Sequence, residues 1–205
     1  MVLTPNCASI DLAMNKTHLT NKNEVKTDSK HGLVLWLLGP TSCGKTTIAR
    51  RLLSFMRKKQ IPVIHYDGDE VRDFFGPELG FAKEQRFRVV KTLVHLTNKA
   101  AESGLNVIVS ALTANPDARR YVFDHTINII TGYVKCSIDE CAKRDPKGLY
   151  KQAKNGEIST LIGYNTEYNE PENPDLVLDS EQDTLEELVA KAFQYVSDRI
   201  VNYRA

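Results

Sequence analysis

The residues Gly39-Pro40-Thr41-Ser42-Cys43-Gly44-Lys45-Thr46 have the types and the spacing to hold a polyphosphate. A glycine, four residues and then Gly-Lys-Thr is the pattern of a phosphate-binding loop. Its glycines let the backbone turn tightly, so that successive N–H groups and the positive end of the following helix face one anion. In such a loop Lys45 reaches the β- and γ-phosphates of ATP, and the Thr46 hydroxyl ligates Mg²⁺. The competing reading is a glycine-rich turn between strand and helix that binds nothing. The apolar run Leu33–Leu38 before the loop and the helical periodicity after it favour the phosphate site.

Phosphoryl transfer to a hydroxyl also needs a carboxylate, to order the Mg²⁺ shell or to take a proton. Asp67 and Asp69, separated by Gly68, follow a short apolar run and are the candidates, with Asp67 for metal or base and Asp69 in support. Cations must offset the charge of the transferring group and of an anionic acceptor. Arg72 lies one helical turn beyond Asp69, and Arg86, Arg88 and Lys91 fall close together, although such a cluster is often a solvated helix face. Arg144 and Lys147 stand in a long polar stretch that reads as a lid, which would bring them in on closure and expel water.

These residues need a scaffold that puts strand ends side by side. From His31 onward, short apolar runs alternate with helix-period stretches, the βα alternation of a parallel sheet covered by helices. Strands are expected at Leu33–Leu38, Pro62–Tyr66, Val107–Val109, Gly132–Cys136 (the weakest) and Leu176–Leu178, with the strand at Pro62–Tyr66 beside the phosphate-loop strand. Helices are expected at Lys45–Lys59, Lys83–Ser103, Asp139–Lys143 and Asp183–Val201. The fold class expected from the phosphate loop and this alternation is α/β, the three-layer P-loop NTPase/kinase fold, with a mostly parallel sheet, helices on both faces and a mobile lid at about residues 144–170. Residues 1–30 read as a flexible polar tail and 31–205 as the kinase domain.

Composition sets outer limits. The 205 residues suit one domain, and a net charge of +1 gives no general attraction to nucleic acid or membrane. No run approaches the roughly 18 apolar residues of a spanning helix. Cys7, Cys43, Cys136 and Cys141 form neither a disulfide framework nor a zinc pattern, so a reduced cytoplasmic setting is expected. A GTP switch is set aside: no apolar strand leads into Asp145-Pro146-Lys147-Gly148, and Asn98-Lys99 is mid-helix, with Ala101 where an Asp should stand.

Taken together the motifs resemble the adenylylsulfate kinases. The similar segments are the phosphate loop with Thr47-Ile48-Ala49, Asp67-Gly68-Asp69 with Val71-Arg72, Leu79-Gly80-Phe81, Arg86, Arg144-Asp145-Pro146-Lys147-Gly148-Leu149-Tyr150-Lys151, Gly156-Glu157-Ile158 and Glu170-Pro171. The resemblance implies transfer of the ATP γ-phosphate to the 3′-hydroxyl of adenylylsulfate, giving PAPS. It implies that Lys45, Asp67 and Lys147 are catalytic and that Gly39 to Thr47, with Arg144, hold ATP. Thr46 and Asp67 would hold Mg²⁺, and Asp69, Arg72, Phe81, Arg86, Lys147 and Leu161 would meet the anionic nucleotide acceptor, with Phe81 stacked on its base. Oligomeric state stays open, with a homodimer as one candidate.

Departures from the family pattern gather on the acceptor side: Ala82, Gln85, Arg88 and Val89 stand where the family has Ser, Asp, Glu and Asn. Ala111-Leu112-Thr113-Ala114-Asn115-Pro116 replaces Phe-Ile-Ser-Pro-Tyr-Arg, and Leu161 replaces the second aromatic of the base clamp. The alternatives are a kinase for another nucleotide-linked acceptor, such as cytidine diphosphoramidate, or a nucleotide-binding module without turnover.

Overall fold

The computed structural model describes residues 31–197 and 199–200; the tail expected over residues 1–30 lies outside them. Strand β1 (Val34–Leu38) is Val-Leu-Trp-Leu-Leu with every residue buried. A strand without a polar face must be covered on both sides, and its side chains alternate between two cores. Leu35 and Leu37 enter one core with Ile48, Leu52 and Phe55 of helix α1 (Lys45–Lys58). Val34, Trp36 and Leu38 enter the other, with Val89, Val90 and Leu93.

Around β1 the described residues form a five-stranded sheet in the order β2-β3-β1-β4-β5, and every pairing is parallel. The other strands are β2 (Val63–Asp67), β3 (Asn106–Ser110), β4 (Ile129–Lys135) and β5 (Leu176–Asp179). Strand β2 therefore does not lie beside β1, as the chain order suggested: β3 sits between them and pairs with both. Strand β4 starts at Ile129 rather than at the expected Gly132, because Ile129 and Ile130 pair with Val34 and Leu35 of β1 and carry the polar Thr131 into the sheet.

Helix α2 (Gly68–Phe74) starts directly from β2, capped by the Asp67 carboxylate on the Asp69 N–H. Helix α3 (Lys83–Glu102) and helix α4 (Pro116–His125) cover the Trp36 face. Neither α2 nor α4 shows a long apolar stripe, so periodicity does not find them. The signs for α4 are its cap and first residue: Asn115 accepts from Asp117 and Ala118, and Pro116 suits a first helical turn. Helices α5 (Ile138–Arg144) and α6 (Leu149–Lys154) follow β4, and α7 (Leu185–Ser197) closes the Leu35 face. The expected end of α7 at Val201 lies outside the described residues. Between α6 and β5 the chain makes turns and one isolated bridge, Ile162 to Thr166. No helix among the described residues is long and apolar enough to cross a membrane.

The join between α1 and α7 is centred on Phe55 and Phe193, both fully buried and meeting edge to face with ring centroids 5.0 Å apart. Phe55→Ala is expected to lower unfolding stability by about 3–5 kcal/mol in urea titration. A loss below about 1 kcal/mol would show that this face does not hold the two helices together.

Candidate active site

The phosphate loop is built by backbone constraint. Gly39 lies against β4, and a Cβ there would sit 2.5 Å from the Val134 carbonyl and 2.8 Å from Cys43 Sγ. Gly44 takes φ 100°, and Ser42, a non-glycine, takes φ 67°. Left-handed conformations of this kind turn consecutive N–H groups inward. Ser42 Oγ is buried with no hydrogen-bond partner, as expected of a polar atom that belongs to a ligand contact. Lys45 Nζ donates to the carbonyls of Gly39 (2.9 Å) and Pro40 (2.6 Å), so the ammonium is folded back over the loop. Beneath it, the buried Tyr150 donates through its hydroxyl to the Thr41 carbonyl at 3.2 Å.

The loop meets the carboxyl end of β2 through one short contact: Thr46 Oγ1 donates to Asp67 Oδ2 at 2.7 Å. Ser110 Oγ donates to the same oxygen at 2.7 Å, and the Asp69 N–H donates to Oδ1 at 2.8 Å. Burial would push the Asp67 carboxyl up, but these three donors and the nearby His65 outweigh it and hold the group below the ordinary carboxylate range. Since the Ser110 hydroxyl proton is directed at Asp67, the Ser110 oxygen accepts from His65 Nε2 at 2.8 Å, which sets the proton of that imidazole on Nε2. Burial lowers the His65 pKa and keeps the ring neutral, against the pull of Asp67 and Glu70. An ionised Asp67 with this many donors is a poor store for a proton but a well-oriented ligand.

One cavity of about 1360 Å³ runs from the loop past Asp67 to Phe81, Val89 and Leu161. That exceeds the roughly 300–1,000 Å³ of a site for one small ligand and leaves room for two. On the far side Arg72 and Arg86 stand over the Phe81 ring, 4.6 and 5.3 Å from its centroid. Arg72 Nη1 donates to the Gly80 carbonyl, and Arg86 donates to the carbonyls of Phe81 and Thr160. Burial lowers both guanidinium pKa values, and the charge of Arg72 lowers that of Arg86 further. Two mutually repelling guanidinium groups on one wall create a positive field that an anion relieves.

The remaining expected residues fall at different places. Lys147 Nζ pairs with Asp69 across the cavity. Arg144 ends α5 and is tied to Glu140 and to the carbonyl and hydroxyl of Ser180, so it forms a wall with Ser180, Asp183 and Leu185. Thr47 is exposed on the rim. Leu161 is buried in the same core as Cys43 and Ile48, with its N–H held by Asn165, and lines the cavity. Arg88 and Lys91 do not line it: they lie over Phe75 and Phe87, as solvated helix positions do.

Sequence reasoning missed Ser110, His65, Tyr150 and Arg119. Ser110 had a signal, the carboxyl end of a strand, but its meeting with Asp67 depends on the register that sets those two residues opposite each other.

Comparison with known proteins gives a consistent result. A family model described as adenylylsulphate kinase matches residues 31–179. The chain is 39% identical over 169 residues to a probable adenylyl-sulfate kinase of Aeropyrum pernix, covering 80% of this chain and 92% of that one. It is 31% identical over 196 residues to an adenylyl-sulfate kinase of Oceanobacillus iheyensis, covering 93% and 97%. Among solved structures it resembles the Mycobacterium tuberculosis APS kinase CysC in complex with AMPPNP and APS, with a TM-score of 0.76, 29% identity, and 82% and 98% of the two chains covered.

Asp67 gives a test in folding alone. Its lowered pKa means that the carboxylate stabilises the folded state above about pH 4, the unfolded value, and that this contribution is lost as pH falls through the folded value. The stability gap between wild type and Asp67→Asn should be full at pH 6 and shrink at pH 3 in denaturant unfolding. A gap that is unchanged or wider at pH 3 would contradict the hydrogen-bond assignment.

Proposed function

Because the chain belongs to the adenylylsulphate kinase family, matched over residues 31–179, we propose that it transfers the γ-phosphoryl group of ATP to the 3′-hydroxyl of adenylylsulfate, giving PAPS and ADP. The observation that carries this reading is the Thr46–Asp67 contact at 2.7 Å, which opens onto the same cavity as the guanidinium pair Arg72 and Arg86. A phosphate site and an anion-attracting wall thus face each other across one carboxylate.

Phosphoryl transfer asks the protein mainly for positioning and charge. The N–H groups of the loop from Thr41 to Thr47 cradle the donor phosphates, and Lys45 offsets charge on the β- and γ-oxygens. Arg144 bounds the donor side near Ser180. Arg72 and Arg86 take the anionic group of the acceptor, Phe81 and Leu161 flank its base, and Asp67 orients its hydroxyl. The low pKa of Asp67 favours orientation over proton storage, which suits a loose transition state with little need of a strong base. Lys147 and Asp69 pair across the still open cavity, both more than half exposed, so that further closure at this point would exclude water and suppress ATP hydrolysis.

The donor set fits Mg²⁺. Thr46 and Asp67 offer hard oxygen atoms at one point, and no group of three or more His, Cys, Asp or Glu among the described residues competes for a metal. Such a pair suits a cation that takes the rest of its shell from phosphates and water. Bound there, Mg²⁺ would neutralise charge on the transferred group.

The test is acceptor-dependent ADP release with ATP and Mg²⁺. Release with adenylylsulfate is expected; release with cytidine diphosphoramidate alone would replace the acceptor, and release with neither would leave a binding module. Lys45→Ala should lower kcat by about 10²–10³-fold with an unchanged melting temperature. Wild-type turnover in that variant would remove Lys45 from the mechanism.

A further inference from the structure

Arg119, in the first turns of α4, makes a set of contacts that its place on a helix surface does not require. Its Nε donates to the Thr113 carbonyl at 2.8 Å and its Nη2 to the Ala114 carbonyl at 3.0 Å. The same guanidinium turns outward to the carbonyls of Asn169, through Nη2, and Glu170, through Nη1 at 3.1 Å. It also lies over the Tyr168 ring, 5.6 Å from its centroid. One planar fork therefore joins two segments about 50 residues apart in the chain.

Both segments are walls of the cavity. Thr113, Ala114 and Asn115 line its acceptor side, and Glu167 and Asn169 come from the return of the stretch that follows α6. Neither segment is held by a sheet. Thr113 has φ 41°, a left-handed conformation that a β-branched residue adopts only under constraint, and its hydroxyl accepts from Trp36 Nε1 at 3.0 Å. Residues 167–170 carry no regular structure. The outgoing part of the same stretch is pinned in a similar way, by Arg86 Nη2 on the Thr160 carbonyl at 2.8 Å. Arg86 also belongs to the anion-attracting wall, whereas Arg119 spends its guanidinium on four carbonyl groups and the Tyr168 side chain and is absent from the cavity lining.

We propose that Arg119 is a positioning residue that couples the acceptor wall, residues 113–115, to the returning lid segment, residues 168–170, so that the two move as one. This rests on the acceptor reading above. Fixing Thr113 and Ala114 to the lid makes the shape of the acceptor pocket depend on the lid being down, and makes a seated acceptor hold the lid in turn. Charge alone does not do this. A lysine carries the same charge but has no rigid fork to span four carbonyl groups.

The test uses full-length wild type, Arg119→Lys and Arg119→Ala. Three readouts are compared: KM for adenylylsulfate and for ATP, melting temperature, and hydrogen exchange of the peptide covering residues 160–170. In both variants KM for adenylylsulfate should rise about tenfold or more while KM for ATP stays within about twofold. Exchange at 160–170 should speed up about tenfold and should no longer be slowed by adenylylsulfate. Methylguanidinium in solution should restore part of the loss in Arg119→Ala but not in Arg119→Lys. Unchanged acceptor KM and lid exchange would overturn the proposal, as would equal rises in both KM values together with a lower melting temperature, the mark of a purely structural residue. If wild type does not turn over adenylylsulfate, the acceptor reading fails, and the lid exchange of the variants with and without ATP still decides whether Arg119 ties the two segments.

Discussion

The hydrogen bond from Thr46 to Asp67 is the contact on which the architecture of the site depends. It joins the first turn of α1 to the carboxyl end of β2, although β2 is not the neighbour of β1 in the sheet. Strand β3 fills the space between, and it ends level with Asp67 at Ser110, whose hydroxyl meets the same carboxylate oxygen. In a parallel sheet all strands end on one side, so the loops that follow them converge there. Asp67 is where that convergence becomes chemical: hydrogen-bonded from three sides, it remains an anion despite burial.

The two ends of the cavity are held in different ways. On the donor side, Gly39 is packed against Val134 and Cys43, and Tyr150 props Thr41, so the phosphate loop is bounded by close-packed atoms. On the acceptor side the walls are irregular backbone, held by arginine side chains on carbonyl groups and by the Trp36–Thr113 hydrogen bond. The same segments still reach the cores, through Leu161 on the Leu35 side and through Tyr168 against the Trp36 side.

The acceptor side also carries the departures from the family pattern, and the structure gives several of them a place. Val89 is buried in the Trp36 core and lines the cavity, so its wall is apolar there. Gln85 accepts from the Ala82 N–H at the start of α3, so it has a role in ending the preceding turn. The Arg missing from residues 111–116 leaves Arg119, three residues further on, as the guanidinium that reaches that loop.

The phosphate loop and the βα alternation were legible in the sequence, because each rests on local chemistry, and Asp67 was legible as a candidate; its contact with Thr46, 21 residues away in the chain, comes from the fold. A glycine spacing dictates a turn, an all-apolar run dictates burial on both faces, and a helix start after a loop dictates an anion site. The two short helices were not legible as stripes, and their signs lay in caps at Asp67 and Asn115. What only the tertiary structure decided was strand order, which placed β3 between β1 and β2 and brought Ser110 to the His65 and Asp67 side chains of β2. It also decided which cations face the cavity: Arg86 does and Arg88 does not, two residues apart on one helix. Helix rotation against the sheet separates them, and that rotation is set by the packing of Val89, Val90 and Leu93 on the Trp36 face, a sum of contacts between distant segments that no local pattern encodes.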